Sequence, residues 1–470
     1  MVFSSPIFLF LFLPVVLGAY YLVPAKYKNV LLLLASLFFY SWGEGKIVLI
    51  MLLVTGINFW SGLIIRSGRR RAGLLISVAT SITALWLFKY FNFTFHNFSS
   101  FLQFTGIKSD AFASLPHIAL PIGISFYTFQ ALSYTIDVYR GHVQASRSFV
   151  DFATYVTMFP QLIAGPIVRY ADIHRQLRNK HISIDNFSAG VERFIIGLAK
   201  KVLIANTFAA VADEIFYQNL ANLSTFYAWL GVIAYAFQIY YDFSGYSDMA
   251  IGLGKMLGFD FMENFNYPYI ATSIQEFWRR WHISLSTWFR DYLYIPLGGN
   301  KVPKLRVYLN LAIVFLVTGL WHGASWHFVA WGLFHGLFIV IEKIGFGKIL
   351  QLLWRPLRHI YTLLVVLIGW VFFRAESLSG ALLYLKRMFV FSGGDPALSS
   401  YLDFFFLDSR TLFFTIVALV FAVPPQVYFP GKMAVPRAGL VRQVYFIALL
   451  VLSLIYVGAG TYNPFIYFRF

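Results

Sequence analysis

Tyr308–Ile341 reads YLNLAIVFLVTGLWHGASWHFVAWGLFHGLFIVI, 34 consecutive positions without Asp, Glu, Lys or Arg. A single helix of that length would run about 50 Å, against a hydrocarbon core of about 30 Å. The run is too long for one ordinary span and short for two spans with a turn between them. Thr318, Gly319, Gly323 and Ala324 weaken its middle. This predicts a broken or half-inserted helix, with His322 beside the break, in an all-α integral membrane protein.

The rest of the chain agrees. Apolar runs recur at Ile7–Tyr21, Val30–Trp42, Ile47–Ile65, Leu74–Tyr90, Leu363–Phe373, Phe413–Val423 and Phe446–Val457. With the shorter runs they predict roughly ten to thirteen membrane-inserted segments. The 470 residues are 59% hydrophobic and 12% charged, where a soluble domain has about half and a quarter. The net charge of +17 does not indicate nucleic acid, because the Lys and Arg sit in short loops between apolar runs, as in cytoplasmic loops. Placing Arg66, Arg69, Arg70 and Arg71 inside also puts Lys26 and Lys28 inside and Met1 outside. The first segment lacks a basic leader and a cleavage site, so it is expected to be a retained span. The absence of cysteine excludes disulfides, thiolate metal sites and a Cys nucleophile.

One polytopic domain over 1–470 is expected. Residues 1–90 form four lipid-facing spans, 119–345 a catalytic core and 346–470 the C-terminal spans. Lys89 and Tyr90 are expected to be snorkelling anchors, and 91–118 an outside polar loop. Pro121, Gly123 and Ser125, then Pro160, Gly165 and Pro166, interrupt apolar sequence. Broken backbone at membrane depth requires protein or a water-filled cavity around it, so these segments are expected to be kinked or re-entrant. Arg169–Lys180 is a cytoplasmic loop, and 376–410 the longest late loop. There is no internal repeat.

Three constellations carry chemistry. In Tyr241–Asp248 (YDFSGYSD), two carboxylates lie within apolar sequence, where charge is costly and functional or paired. The structural alternative is that Asp242 and Asp248 hold Arg279, Arg280 or Lys255. In Glu276–Tyr292, helical spacing gives an apolar stripe (Phe277, Trp281, Leu285, Trp288, Tyr292) and a polar one (Arg279, His282, Ser286, Arg290). Such a helix suits the cytoplasmic interface, either as a plain anchor or with guanidinium groups binding a phosphorylated donor beside a histidine. In Trp321–His327, His322 is an intramembrane ionisable residue, a functional candidate by default and otherwise a satisfied core histidine. His327 and His335 lie on other helical faces, which argues against a helical His-x-x-x-His metal site. A lone imidazole suits general-base work on a hydroxyl. No Gly-x-Ser-x-Gly elbow, Walker loop or zincin motif is present.

YDFSGYSDMAIG (Tyr241–Gly252), EFWRRWHISLSTWFRDYLYIPLGG (Glu276–Gly299) and GLWHG (Gly319–Gly323) resemble the hallmark stretches of the membrane-bound O-acyltransferase family, most closely its alginate-O-acetylating bacterial branch. VFSSPIFLFLFLP, PIGISFYTFQALSYTIDVYRG and LIAGPIVRY are similar too, so the resemblance covers most of the chain. It implies a ring of helices around a central tunnel or funnel in the bacterial cytoplasmic membrane. It also implies passage of an acyl group, usually acetyl, towards an extracytoplasmic polysaccharide. His322 matches the family's catalytic histidine and His282 the second histidine of this branch. The donor is expected to be acetyl-CoA or an acyl-carrier-protein thioester, with no bound cofactor or metal. Arg279, Arg280, Ser286, Arg290, Trp321, Asp242 and Asp248 are the expected donor-binding or tunnel-lining residues. Expected partners are an SGNH-type extracytoplasmic acyltransferase, a cytoplasmic acyl-carrier protein, the bilayer and the polysaccharide acceptor. Peptidoglycan O-acetylation and teichoic-acid D-alanylation use the same chemistry. The rival from another class is a glycan transporter, which would call for paired repeats of interrupted segments.

Overall fold

The computed structural model describes residues 1–106, 118–406, 408–424, 439–460 and 462–465. The described residues are helical throughout the framework, with no strand among them. The first helices are α1 (Phe8–Leu22), α2 (Lys28–Glu44), α3 (Val48–Arg66) and α4 (Arg70–Leu85). After α4, a wide π-type stretch, Trp86–Tyr90, leads into α5 (Phe91–Phe104). The expected polar loop from residue 91 is thus helical as far as Phe104. Phe91, Phe95, Phe98 and Phe101 recur at three- to four-residue spacing, and that periodicity outweighs the Asn and Ser between them. The loop's remaining residues, 107–117, lie outside the described ones.

Next come α6 (Ile124–Arg140), α7 (Phe149–Thr157), α8 (Phe159–Leu162), α9 (Tyr170–Ile173), α10 (Ile184–Ala199) and α11 (Asn206–Tyr217). Gly123 sits at φ 75 immediately before α6, and Pro160 lies in the first turn of α8. The interruptions therefore start helices rather than kink them. α12 (Thr225–Met256) is 32 residues long and buried on nearly every face. It packs against α10 through glycines seven residues apart on each helix. A Cβ on Gly252 would lie 2.6 Å from the Gly190 carbonyl oxygen, and one on Gly245 2.7 Å from that of Gly197. Small residues at such crossings let backbones touch and gain dispersion contacts without a hydrophobic driving force.

Two short helices, α13 (Ile274–Arg280) and α14 (Ile283–Phe289), precede the pair α15 (Lys304–His322) and α16 (Trp326–Ile341). The overlong apolar run breaks at Gly323–Ser325, and its two helices pack as a hairpin. They fit because α15 extends before Tyr308 to Lys304. Gly319 and Gly332 bring the two backbones into contact, since a Cβ on either would strike a carbonyl of the other helix.

The chain ends with α17 (Gly347–Leu352), α18 (Arg355–Arg374), α19 (Leu378–Phe389), α20 (Pro396–Phe406), α21 (Ser409–Phe421) and α22 (Leu440–Gly458). The segment expected as a loop over 376–410 is therefore largely helical. Seven helical runs among the described residues are long and apolar enough to cross a membrane, or eight if the bent pair Pro396–Phe404 and Ser409–Phe421 is one span. One of the seven, Ala25–Arg66, contains both α2 and α3, with Gly45 at φ 55 between them. That is fewer than the ten to thirteen inserted segments expected from sequence, because helices such as α12 carry too many polar residues to meet the same criterion.

Candidate active site

His322 is the last residue of α15, and Gly323 after it is fully extended, with φ −164 and ψ 149. The helix end fixes the imidazole among aromatic rings. Trp321 lies 4.9 Å away between centroids, Trp331 of α16 also 4.9 Å, and Phe373 of α18 5.0 Å. His322 is only 5% exposed, and its open edge lines a small pocket of about 30 Å³ with Lys89, Ser125 and residues Leu120–Phe126. That volume holds one water or one small polar group.

His282 approaches from the turn between α13 and α14, its ring 6.5 Å from that of His322 and 6.0 Å from Trp321. It has φ 44, a left-handed conformation that costs a non-glycine residue about 1 kcal/mol or more. This turn is why Glu276–Tyr292 is not one helix. The expected polar stripe is split, with His282 swung inwards and 1% exposed while Arg279 and Arg290 face a cavity. Asn264 holds the turned residue. Its side-chain oxygen meets His282 Nδ1 at 3.2 Å and accepts from the Ser284 hydroxyl at 2.9 Å and the Ser284 N–H at 3.2 Å. The Asn264 amide in turn donates to Ser247 Oγ of α12 at 3.1 Å. His282 Nε2 is buried without a hydrogen-bond partner among the described residues, and Phe243 closes over the ring edge-on at 4.6 Å. The fixed partner on Nδ1 sets the orientation of the imidazole.

A larger cavity of about 430 Å³ is lined by Arg279, Ser286, Arg290, Asn300 and Lys343 among polar groups, and by Leu311, Val314, Phe315 and Thr318 along α15. Leu311, Phe315, Thr318 and His322 follow at helical three- and four-residue spacing. The cavity wall thus runs up α15 to within one turn of His322.

The other expected site residues fall elsewhere. Arg280 turns away to Glu276 at 2.9 Å and to the Asn266 carbonyl at 3.1 Å. Burial pushes Glu276 up, but bonds from the Thr272 N–H and hydroxyl and from Arg280 outweigh it and hold the carboxyl below its ordinary value. Arg290 lines the cavity but also bonds Asp291 at 2.7 Å. Asp242 pairs with Lys201 at 2.7 Å, both 2% exposed, and Asp248 pairs with Arg193 at 2.6 Å and Lys200 at 2.7 Å. Neither carboxylate holds Arg279, Arg280 or Lys255. Their cations come from the α10 side, which packs on α12 and is far away in sequence. His327 bonds the Phe372 carbonyl at 3.0 Å. His335 is fully buried beside Trp278 and Trp331, the latter also in contact with His322.

Asn264, Ser284, Lys343 and Lys89 have no local signature that marks them from sequence. Lys89 was expected to snorkel outwards, but it bonds Ser125 Oγ at 3.1 Å and the carbonyl oxygens of Trp321 and His322.

Residues 35–383 match the membrane-bound O-acyltransferase family. A probable alginate O-acetylase of Pseudomonas putida is 44% identical over 493 residues, covering 100% of each chain. A peptidoglycan O-acetyltransferase of Helicobacter pylori is 38% identical, over 84% of this chain and 80% of its own. A teichoic acid D-alanyltransferase of Streptococcus thermophilus is 32% identical over 48% of this chain and 58% of its own. With the family matched over residues 35–383 and relatives alike from end to end, the chain belongs to the membrane-bound O-acyltransferase family and is an acyltransferase.

Proposed function

We propose that this acyltransferase O-acetylates alginate or a closely similar extracytoplasmic polysaccharide, drawing acetyl from a cytoplasmic thioester. The observation that carries the reading is the placement of His322: one turn beyond a cation-rimmed cavity on α15 and on the wall of a second, smaller pocket. The full-length likeness to alginate O-acetylases supports the acceptor class. Peptidoglycan O-acetylation and teichoic-acid D-alanylation are the activities named for other relatives.

In the proposed reaction acetyl-CoA or an acyl-carrier-protein thioester enters the larger cavity. Arg279, Arg290 and Lys343 meet its phosphates, and Leu311, Val314 and Phe315 line the path of its thioester arm. His322 takes the proton of an acceptor hydroxyl arriving at the smaller pocket. The hydroxyl oxygen attacks the thioester carbonyl, the C–S bond breaks, and the thiolate leaves with the proton that His322 returns. The alternative order, transient acylation of the imidazole followed by transfer, uses the same residues. His282, with Nδ1 held by Asn264, orients the donor or relays the proton through Nε2, and Trp321 lines the smaller pocket beside His322. Asp242 and Asp248 act on packing rather than on substrate.

The protein is proposed to lie in the bacterial cytoplasmic membrane with its N-terminus outside. An extracytoplasmic SGNH-type acyltransferase would finish the transfer, and a cytoplasmic acyl-carrier protein is the alternative donor. Arg279→Gln combined with Arg290→Gln should raise the donor KM about tenfold, as loss of charge-assisted phosphate contacts does. The turnover number should stay within about twofold. Steady-state transfer of radiolabelled acetyl in membranes from producing cells measures both. An unchanged donor KM would remove the donor from this cavity.

A further inference from the structure

We infer that Lys89 is a positioning residue for the reaction, its ammonium holding the last carbonyls of α15 and through them the His322 ring. The inference rests on the reading of His322 as the reacting group.

Lys89 lies in the run TALWLFKYFNF, on a helical rod whose other faces are largely open to lipid. A lysine there would ordinarily reach outwards to the headgroups. Here the rod widens into a π-type turn at Trp86–Tyr90. Such a bulge adds a residue to the turn and resets which side chains face inwards, and bulges of this kind concentrate at functional sites. Both residues at its end turn towards α15. The Tyr90 hydroxyl donates to the Leu320 carbonyl at 2.9 Å. Lys89 Nζ donates to the Trp321 carbonyl, to the His322 carbonyl at 3.2 Å and to Ser125 Oγ of α6 at 3.1 Å.

These bonds answer a particular need. The last four carbonyls of a helix lack intrahelical partners, and α15 ends inside the protein with an extended glycine rather than a C-capping turn. A cation at a helix C-terminus also meets the negative end of the helix dipole. Three acceptors use all three ammonium protons, so Lys89 has no donor left for a substrate. Its action on the reaction runs through the backbone of His322. No ion pair to a carboxylate is made by Lys89 among the described residues. An ammonium so placed stabilises the helix end it caps, and it also lines the pocket that His322 faces.

The test uses membranes from producing cells, radiolabelled acetyl-CoA and alginate, with turnover expressed per folded molecule counted by fluorescence-detected gel filtration. Lys89→Met should lower the turnover number about 10- to 100-fold, the loss expected for a reacting group displaced by about 1 Å. The donor KM should stay within about twofold, since the donor cavity does not include Lys89. Lys89→Arg, which can still reach both carbonyls, should restore turnover to within about fivefold of wild type. If Lys89→Met does not accumulate, Lys89→Gln carries the same comparison. Wild-type turnover in either uncharged variant, a donor KM that rises in step with the loss, or no rescue by arginine would each overturn the inference. His322→Gln in the same membranes separates the two readings. If it retains turnover, the assignment of His322 fails; if it is inactive while Lys89→Met is fully active, only the role of Lys89 fails.

Discussion

His322→Ala is expected to lower acyl transfer by at least about a thousandfold, because it removes the group proposed to take the acceptor proton or carry the acyl group. The fold should survive. His322 ends its helix rather than bracing its middle, and its ring borders a pocket already present, so truncation enlarges a small cavity more than it opens a sealed core. Loss of contacts with Trp321, Trp331 and Phe373 should cost about 2 kcal/mol at most. His335 provides the comparison. It lies on the next helix, fully buried, with both ring nitrogens unbonded among the described residues and Trp331 in contact with both it and His322. His335→Leu is expected to keep turnover per folded molecule within about threefold of wild type, as a core site without substrate contact does. Radiolabelled acetyl transfer by detergent-purified protein, normalised to the monodisperse fraction, distinguishes them. A folded His322→Ala protein with full transfer would contradict the assignment.

Lys201→Met is expected to have the largest effect on stability. Lys201 and Asp242 are each 2% exposed and meet at 2.7 Å, with Lys201 also bonding the Pro464 carbonyl near the chain end. Removing Lys201 breaks a buried ion pair from one side only, which costs about 3–5 kcal/mol. Removing both together as Lys201→Met with Asp242→Leu should recover much of that loss, because the desolvation of both charges goes with them. The thermal midpoint in detergent gives the stabilities and transfer per folded molecule gives the activities. A double variant that is stable yet inactive would place Asp242 in the chemistry, against its role here as a packing pair.

Much of the architecture follows from local pattern. The length of Tyr308–Ile341 and the glycines near its middle predict the break beside His322, because span length and backbone breakage are properties of contiguous sequence; the hairpin itself depends on the close contact of Gly319 and Gly332. The same reasoning overlooks α5 and the helices α19 and α20, where Asn, Ser and Asp among the apolar residues resemble loop composition. It also joins α13 to α14. The left-handed His282 between them is imposed by Asn264, 18 residues earlier and on another element, and helical periodicity carries no trace of it. The partners of Asp242 and Asp248 were sought among nearby arginines. They come instead from α10 and the π-type stretch after it, 41 to 55 residues away. Lys89 shows the limit most plainly. Its sequence context is that of an interfacial anchor, and only the packing of its rod against α15 turns it inwards.

The claim that an acyl group crosses from one cavity to the other at His322 is tested most directly by sidedness. Sealed inside-out vesicles from producing cells, given radiolabelled acetyl-CoA at their exposed cytoplasmic face, should deliver label to glycan enclosed in the lumen. The delivery should disappear with His322→Ala, and right-side-out vesicles given the same impermeant donor should deliver none. Label reaching the glycan equally from either face, or undiminished delivery by the His322→Ala protein, would contradict the account.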